Sequence, residues 1–358
     1  MKHIIGGNLP AQLPQSKTVC VDEDCAGQRL DNFLLHQLKG VPKTHVYRII
    51  RSGEVRVNKG RASADTRVAT GDLVRLPPLR LSERAAEKAE SMRAQGAVAG
   101  GYVPARDFPV LFEDDSFLAI DKPAGVAVHG GSGVSFGVIE QLRMARPQAR
   151  FLELVHRLDR ETSGILLVAK KRSALKNLQD QFRERETGKT YLALVSGHWP
   201  TNKKVLDKPL LKYLLPAAQP GGAEERRVKV ATREQEGAMS ALTLVKVRAS
   251  NLPAPGAAAV VRPYSLLEVT IKTGRTHQIR VHLAAEGMPI VGDDKYGNFD
   301  LNRELARASG ASGLKRMFLH AWSFQCNHPV SGERIALRAE LPPDLSAFLR
   351  AALPAAPQ

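Results

Sequence analysis

Apolar residues recur at helical spacing in two short segments near the start of the chain. The first segment carries Leu30, Phe33, Leu34 and Leu38, and the second carries Val46, Ile49 and Ile50. A turn with Gly40 and Pro42 separates the two segments. The pattern therefore predicts two short helices joined by a tight connection.

Strand patterns follow these helices. Val55 and Val57 alternate with polar neighbours, and a Gly-Asp turn precedes the run 73–76. Alternation of this kind, bounded by turn residues, is typical of short strands. We therefore expect a small folded unit over residues 22–84, with residues 1–21 as a flexible tail.

The rest of the chain mixes strand and helix patterns in an irregular order. The patterns predict strands at 110–112, 117–120, 151–155, 165–169, 191–195, 241–247 and 266–271, and helices at 138–145 and 173–185. Irregular mixing favours an α+β fold with a mixed, mostly antiparallel sheet over a doubly wound one. We expect a linker at 85–106, a second domain at 107–348 and a flexible tail at 349–358.

Charge and composition narrow the class of protein. Lys and Arg number 52 against 36 Asp and Glu, which gives a net charge of +16 and favours a polyanionic partner. The 43% content of hydrophobic residues excludes bulk disorder. Three cysteines argue against a disulfide framework, and no apolar run reaches the roughly 20 residues of a membrane span. We expect a cytoplasmic protein that does not contact a membrane.

The polar segment 156–164, with the sequence HRLDRETSG, lies between two predicted buried strands. Polar loops held by a rigid sheet are common places for active sites. Asp159 is close in sequence to Arg157 and Arg160, whose charges would keep it ionised as a nucleophile or base while the arginines hold phosphate. The same residue types also make ordinary surface turns, so the two interpretations stay open.

Four separated segments resemble the motifs of the RluA family of ribosomal RNA pseudouridine synthases. They lie at 122–130, 156–170, 189–193 and 274–282, in the order that the family has. Residues 27–76 resemble the S4 (α-L) RNA-binding domain that many members carry at the N-terminus. Three more segments, 38–43, 129–133 and 169–175, point within the family to enzymes of the large ribosomal subunit.

The resemblance implies a site-specific isomerisation of uridine in 23S ribosomal RNA, without a cofactor or metal. It makes Asp159 the catalytic carboxylate, acting on C1′, on the C2′ proton or on C6. It gives Arg280 the place of its cation partner and makes Tyr191 stack on the base and take part in proton transfer. Arg157 would occupy the place of the flipped base. The plainer alternatives are a surface charge for Arg280, a half-buried strand tyrosine for Tyr191 and a phosphate contact for Arg157.

Other basic residues would bind the RNA backbone. The candidates are Lys43, Arg48, Arg51, Lys170, Lys171, Arg172 and Lys176. Contacts of this kind supply affinity without sequence information. We expect ribosomal RNA as the partner and a monomeric protein.

Two other functions compete with this interpretation. Residues 133–137 match the Gly-x-Ser-x-Gly elbow of serine hydrolases, but they follow a glycine-rich loop where that elbow needs a buried strand. A non-catalytic RNA-binding or ribosome-assembly protein would share the charge and the S4-like unit. It would have no reason to combine Asp159, Tyr191 and Arg280.

Overall fold

The computed structural model describes residues 16–38, 43–78, 105–130, 136–215, 225–252 and 263–352. The chain separates into two compact units, residues 1–102 and 103–358. Most of the predicted linker at 85–106 lies outside the described residues, as do the first 15 and last six residues of the chain.

The first unit contains the two predicted helices, which are confirmed. They are α1 (Leu30–Gln37) and α2 (Lys43–Arg51), and the strands are β1 (Lys17–Cys20), β2 (Arg56–Val57) and β3 (Leu73–Leu76), with a 3-10 turn at Glu23–Cys25. The strand order is β1-β3-β2, and both pairs are antiparallel. The apolar positions of both helices and of β3 form one buried cluster.

Strand β1 corrects the prediction that residues 1–21 form a flexible tail. Lys17 pairs with Leu76 and Cys20 with Leu73, and Val19 packs against the buried cluster. Only one apolar side chain of this strand faces the core, so the sequence carries no alternation to reveal it. The backbone ladder with β3 supplies the order instead.

The second unit is built on a ten-stranded sheet. Its strands are β4 (Val110–Glu113), β5 (Phe117–Lys122), β6 (Glu153–Leu154), β7 (Ser163–Ala169), β8 (Gly188–Ser196), β9 (Val205–Asp207), β12 (Leu242–Leu252), β13 (Tyr264–Ile271), β14 (Leu319–Asn327) and β15 (Arg334–Arg338), and a separate hairpin holds β10 (Leu210–Leu215) and β11 (Glu225–Val230). The order along the sheet is β4-β5-β7-β14-β8-β13-β12-β9, with β15 beside β14 and β6 beside β7. Among the strands that the structure describes, only β7 and β14 run parallel, so the predicted mixed, mostly antiparallel sheet is confirmed.

Five helices accompany this sheet. They are α3 (Val138–Ala145), α4 (Arg172–Glu184), α5 (Gln278–Ala285), α6 (Phe299–Arg307) and α7 (Pro343–Ala352), with a 3-10 turn at Gly310–Ser312. The pattern predicted α3 with its observed bounds and α4 to within one residue at each end. The predicted tail at 349–358 is wrong for its first four residues, because α7 continues through them and buries Ala352.

Gly164, next to the polar loop, lets β7 approach β14 closely. Its φ is +108°, and a Cβ at this position would lie 2.3 Å from the carbonyl oxygen of Ala321. Any side chain would therefore push the two parallel strands apart. The loop that carries Asp159 is thus held at the start of a buried strand whose position is fixed by packing.

Candidate active site

A pocket of about 230 Å³ lies where the loop before β7 meets the segment that leads into α5. Its lining includes Asp159 from the loop, Tyr191 and Lys189 from β8, and His277 and Arg280 from the start of α5. Three of the four sequence motifs therefore contribute side chains to one cavity. Asp159, Tyr191 and Arg280, which were predicted as a set, are brought together.

The main chain around Asp159 is anchored on both sides. The Thr162 N–H donates to the carbonyl of Asp159 at 3.1 Å, which closes a turn. The next carbonyl, that of Arg160, accepts from the Gly125 N–H at 2.9 Å and from Lys122 Nζ at 3.1 Å. These bonds fix the direction in which the Asp159 side chain leaves the loop.

Lys122 makes this anchor from a fully buried position. Its ammonium donates to three carbonyl oxygens, those of Pro123, Val126 and Arg160, at 2.8, 2.8 and 3.1 Å. Burial lowers the pKa of Lys122 to about 7. The remaining motif, at 122–130, thus supports the loop that carries Asp159 without lining the pocket.

Arg280 is shared between Asp159 and Asp293. Its Nε and Nη2 donate to the two carboxylate oxygens of Asp293, each at 2.7 Å, and its Nη1 lies 3.6 Å from Asp159 Oδ2. Both Arg280 and Asp293 are almost completely buried, whereas the Asp159 side chain is 19% exposed toward the pocket. The bidentate pair holds the guanidinium plane and directs the remaining nitrogen at Asp159.

The electrostatics of this group follow from the pairing. Burial alone would lower the pKa of Arg280, but the hydrogen bonds and charge of Asp293 and the charge of Asp159 raise it above its ordinary value. Burial would raise the pKa of Asp293, yet Arg280 and two backbone N–H donors, from Lys295 and Tyr296, hold it below its usual range. Both partners are therefore charged at neutral pH.

His277 is a second neighbour of Asp159 Oδ2. Its Nε2 is 3.9 Å from Asp159 Oδ2, and its Nδ1 is 2.9 Å from the Tyr296 hydroxyl. That hydroxyl accepts the Val228 N–H at 3.0 Å, which leaves its own proton available to Nδ1 of His277. Burial lowers the pKa of His277 against the opposing charge of Asp159.

His277 adopts a left-handed backbone conformation, with φ +54°, immediately before α5. The turn is held by the buried side chain of Gln278, whose Oε1 accepts from the Thr273 hydroxyl at 2.7 Å and from the Arg275 N–H at 3.1 Å. Residues other than glycine rarely adopt a positive φ, and they do so where the surrounding structure imposes it. This turn places His277 and Arg280 on the same side of the pocket.

Tyr191 lies in the pocket wall on β8. Burial, and then the charge of Asp159, raise the pKa of its hydroxyl above the ordinary value. Among the residues that the structure describes, none forms a hydrogen bond with this hydroxyl. The phenol therefore stays protonated and has its polar end available for a ligand.

The two arginines next to Asp159 in sequence lie in different surroundings. Arg157 is exposed at the pocket and remains a candidate to replace a flipped base. Arg160 turns away, because its Nε donates to the Gly125 carbonyl at 3.0 Å and lies 3.4 Å from Glu161. The cation partner of Asp159 is Arg280, which lies far away in sequence.

The predicted backbone-binding residues lie on two helices. Arg48 and Arg51 are exposed on α2, which begins at Lys43. Lys171 precedes α4, Arg172 begins it, and Lys176 is exposed on it. Lys170 differs from the others, because its Nζ forms a 2.8 Å ion pair with Glu113.

Sequence reasoning missed Asp293, His277 and Lys189 as site residues. Asp293 follows an apolar pair and a glycine, and the need of a buried arginine for a second carboxylate is the signal that could have found it. Within the described residues, no group of His, Cys, Asp and Glu is arranged to hold a metal ion, and no described helix could cross a membrane. Of the serine hydrolase motif at 133–137, the first three residues lie outside the described residues.

Comparisons with known proteins agree with this geometry. Residues 116–285 match the family model of RNA pseudouridylate synthases, and residues 28–74 match the S4 domain. The chain is 48% identical over 336 residues to ribosomal large subunit pseudouridine synthase C of Salmonella typhimurium, and the match covers 94% of this chain and 96% of that protein. The protein of the same name from Haemophilus influenzae is 46% identical, over 93% of this chain and 94% of that one.

Solved structures give the same result. The human protein RNA pseudouridylate synthase domain containing 4 superimposes with a TM-score of 0.51 at 25% identity, covering 68% of this chain and 92% of that one. Human RNA pseudouridylate synthase domain containing 1 gives 0.50 at 26% identity, covering 68% and 87%. The resemblance found in the motifs is confirmed, and the serine hydrolase alternative is not supported. The chain belongs to the RNA pseudouridylate synthase family, whose members are isomerases, and it carries an S4 domain ahead of its catalytic unit.

Proposed function

We propose that this protein converts specific uridines of 23S ribosomal RNA, in the large ribosomal subunit, to pseudouridine. The observation that carries the proposal is the pairing of Asp159 Oδ2 with Arg280 Nη1, at 3.6 Å, in a pocket that Tyr191 also lines. The choice of large-subunit RNA rests on relatives that match almost the whole chain and are called large-subunit synthases. The net charge of +16 suits a polyanionic substrate.

Asp159 acts as the catalytic carboxylate in this proposal. The C1′–N1 bond of uridine breaks and a C1′–C5 bond forms; C5 loses its hydrogen as a proton and N1 gains a proton, so no oxidant, reductant or hydrolysis is involved. The three routes through C1′, the C2′ proton or C6 share this balance. Each of them needs an ionised carboxylate, and the neighbouring guanidinium favours that form.

Tyr191 and Arg157 handle the base. A uracil inside folded RNA is out of reach of a pocket, so it has to be flipped out of its stack. The exposed Arg157 at the pocket is the side chain that takes the vacated place. The ring of Tyr191 stacks on the uracil, and its protonated hydroxyl serves the proton transfer that follows rejoining at C5.

The remaining basic residues supply affinity for the RNA backbone. The exposed Arg48, Arg51, Lys171 and Lys176 act through phosphate contacts, as do Lys43 and Arg172. Lys170 contributes less, because Glu113 already neutralises it. The protein works as a monomer, since one chain supplies Asp159, Tyr191 and Arg280, and it works in the cytoplasm, as an odd number of three cysteines suggests.

The test is to map pseudouridine along 23S ribosomal RNA from cells that lack the protein, by carbodiimide modification and primer extension. We expect defined large-subunit positions to lose pseudouridine and to regain it when the wild-type chain is restored. Restoring the Asp159→Asn chain should leave them unmodified. An unchanged map in the deletion strain would overturn the substrate assignment, and full rescue by Asp159→Asn would indicate an RNA-binding role without catalysis.

A further inference from the structure

Lys189 is a buried cation that the proposed reaction does not use. It lies on β8 two residues before Tyr191, and because side chains alternate along a strand, both face the same pocket. Only 8% of Lys189 is exposed. Lysine is rarely buried to this extent unless its charge is paired.

The ammonium of Lys189 has no such partner among the residues that the structure describes. None of their carboxylates lies within ion-pair distance of Nζ, and none of their acceptors lies within hydrogen-bond distance. Its contact is with the ring of Phe182, whose centroid lies 5.0 Å from Nζ. A cation on an aromatic face gains part of what it loses in leaving water, but its three N–H donors remain available.

The charged groups around Lys189 make its position less favourable still. Those that act on it are Lys272 and Arg185, both cations with exposed side chains. Burial, and then these two charges, lower the pKa of Lys189. By contrast, Tyr191 on the same strand is influenced by Asp159. The pocket therefore has an acidic side at Asp159 and a cationic side at Lys189.

We propose that Lys189, on the cationic side of the pocket, binds a phosphodiester that flanks the flipped-out uridine. A phosphate attached to the ribose of that uridine enters the pocket together with the nucleotide. A full negative charge also offsets the repulsion that Lys272 and Arg185 exert on Lys189, which a neutral uracil oxygen does not. This inference rests on the proposed function, because it needs an RNA substrate in the pocket.

The first test compares Lys189→Met, Lys189→Arg and the control Lys246→Met, which removes an exposed lysine of β12. RNA affinity is measured with a 23S fragment that contains a mapped target uridine. We expect Lys189→Met to weaken binding about 10-fold or more and to raise KM with little change in kcat. In Lys189→Met, the slope of the logarithm of affinity against the logarithm of salt concentration should become shallower by about one. Lys189→Arg should retain most of the affinity, and Lys246→Met should behave as wild type.

Stability separates a binding role from a structural one. Since Lys189 is largely buried and no carboxylate of the described residues pairs with it, replacing it by the apolar Met should leave the melting temperature unchanged or raise it. A lysine that only supported the fold would lower the melting temperature when removed. A fall in melting temperature with unchanged RNA affinity would overturn the proposal.

The second test removes the charge from the phosphate. In one RNA the linkage 5′ of the target becomes a neutral methylphosphonate, with a 2′-O-methyl on the preceding nucleotide. In the other RNA the linkage 3′ of the target becomes a methylphosphonate, and the target nucleotide is 2′-deoxyuridine. Each has a matched control with the ordinary phosphate. We expect one methylphosphonate to weaken wild-type binding about 10-fold or more and to leave Lys189→Met binding almost unchanged.

The outcomes are distinct. If the losses of affinity from Lys189→Met and from the methylphosphonate add up in both RNAs, the phosphate assignment is overturned. If Lys189→Met lowers kcat and leaves the affinity unchanged, Lys189 acts at a uracil oxygen instead. If the wild-type protein forms no pseudouridine in the unmodified fragment or in a full 23S transcript, that result counts against the proposed function. The contact between Lys189 and a phosphate, which is measured by affinity, would then stand or fall as a separate result.

Discussion

The two sides of the pocket treat charge in opposite ways. On the acidic side, Arg280 is bound by both oxygens of Asp293 and still faces Asp159, so the buried charges have partners. On the cationic side, Lys189 has an aromatic ring and two further cations around it. Lys122, which is buried more completely than Lys189, is by contrast fully hydrogen-bonded, because three carbonyl oxygens accept from its ammonium.

The difference between paired and unpaired charges distinguishes groups that fix the geometry of the site from groups that are available to bind a ligand. Paired charges such as Arg280 and Asp293 fix geometry, and removing either partner leaves the other buried without its bidentate pairing. An unpaired buried cation costs stability in the free protein and is compensated when an anion binds. Substitutions on the acidic side should therefore reduce stability or chemistry, whereas Lys189→Met should reduce affinity.

The largest effect on stability is expected for Asp293→Asn. The change leaves the Arg280 guanidinium buried without its bidentate partner, so we expect the free energy of unfolding to fall by about 3 kcal/mol. Urea unfolding followed by tryptophan fluorescence measures it, since Trp199 and Trp322 both lie in the second unit. The control is Asp294→Asn, whose carboxylate is 68% exposed and should contribute less than about 1 kcal/mol. Equal losses for the two variants would contradict the assignment of Asp293 as the anchor.

Tyr191→Phe tests the residue between the two sides. The phenyl ring keeps the stacking surface, so RNA affinity should stay near wild type, while loss of the hydroxyl should lower kcat about 100-fold. Tyr191→Ala, as a comparison, should also weaken binding. A Phe variant with the wild-type rate would show that the hydroxyl moves no proton in the rate-limiting step.

Two histidines, the half-buried His156 and the fully buried His320, give the next effect, on the pH dependence of stability. Burial lowers the pKa of His156 and of His320 to about 4, whereas in the unfolded chain they titrate near 6.5. Between these values the unfolded state binds more protons, so stability is present above about pH 6.5 and is lost as the pH falls toward 4. Each histidine should contribute a slope of up to about 1.4 kcal/mol per pH unit.

Urea unfolding at several pH values in this window measures that slope. His320→Gln should reduce it by up to about 1.4 kcal/mol per pH unit, and His198→Asn, which changes an exposed histidine, is the control. Asp293 does not interfere, because its lowered pKa lies below the window. A flat profile between pH 6.5 and 4 would mean that neither histidine stays neutral in the folded protein.

The smallest effect is expected outside the pocket, on α2. The double change Arg48→Gln with Arg51→Gln removes two exposed cations that we propose contact RNA phosphates, so it should weaken RNA affinity several-fold without changing kcat. Binding isotherms at several salt concentrations measure both the affinity and its salt dependence. The control Arg75→Gln, on β3, should have less effect. A fall in kcat in the double variant would mean that α2 does more than bind the RNA backbone.

The sequence predicted best the elements whose apolar positions face one core. Helix α3 has its predicted bounds because Val138, Ile139 and Leu142 lie on one buried face. Strand β14 was missed, since its LHAWSFQCN sequence mixes polar and apolar residues without a regular alternation and begins with three buried residues in a row, one of them the polar His320. The pairing of β14 with β7 joins segments more than 150 residues apart, and no local pattern encodes it.

The site shows the same limit. Asp159, Tyr191 and Arg280 could be named from motifs, but the partner of Asp159 could not be read from its neighbours, because Arg160 turns away from it. Asp293 anchors Arg280 only because the fold brings it against the first turn of α5, where Arg280 lies. The sequence likewise shows that position 189 is a lysine, but only the fold shows that the lysine is buried without an acid beside it.

The central claim is that the carboxylate of Asp159, beside Arg280, performs the isomerisation. The most direct measurement is single-turnover formation of pseudouridine by Asp159→Asn at saturating protein, alongside RNA affinity and melting temperature. The variant keeps the shape of the side chain and removes its charge, so we predict wild-type folding, RNA binding close to wild type, and no detectable product. Product formation at a rate near that of the wild type would contradict the account.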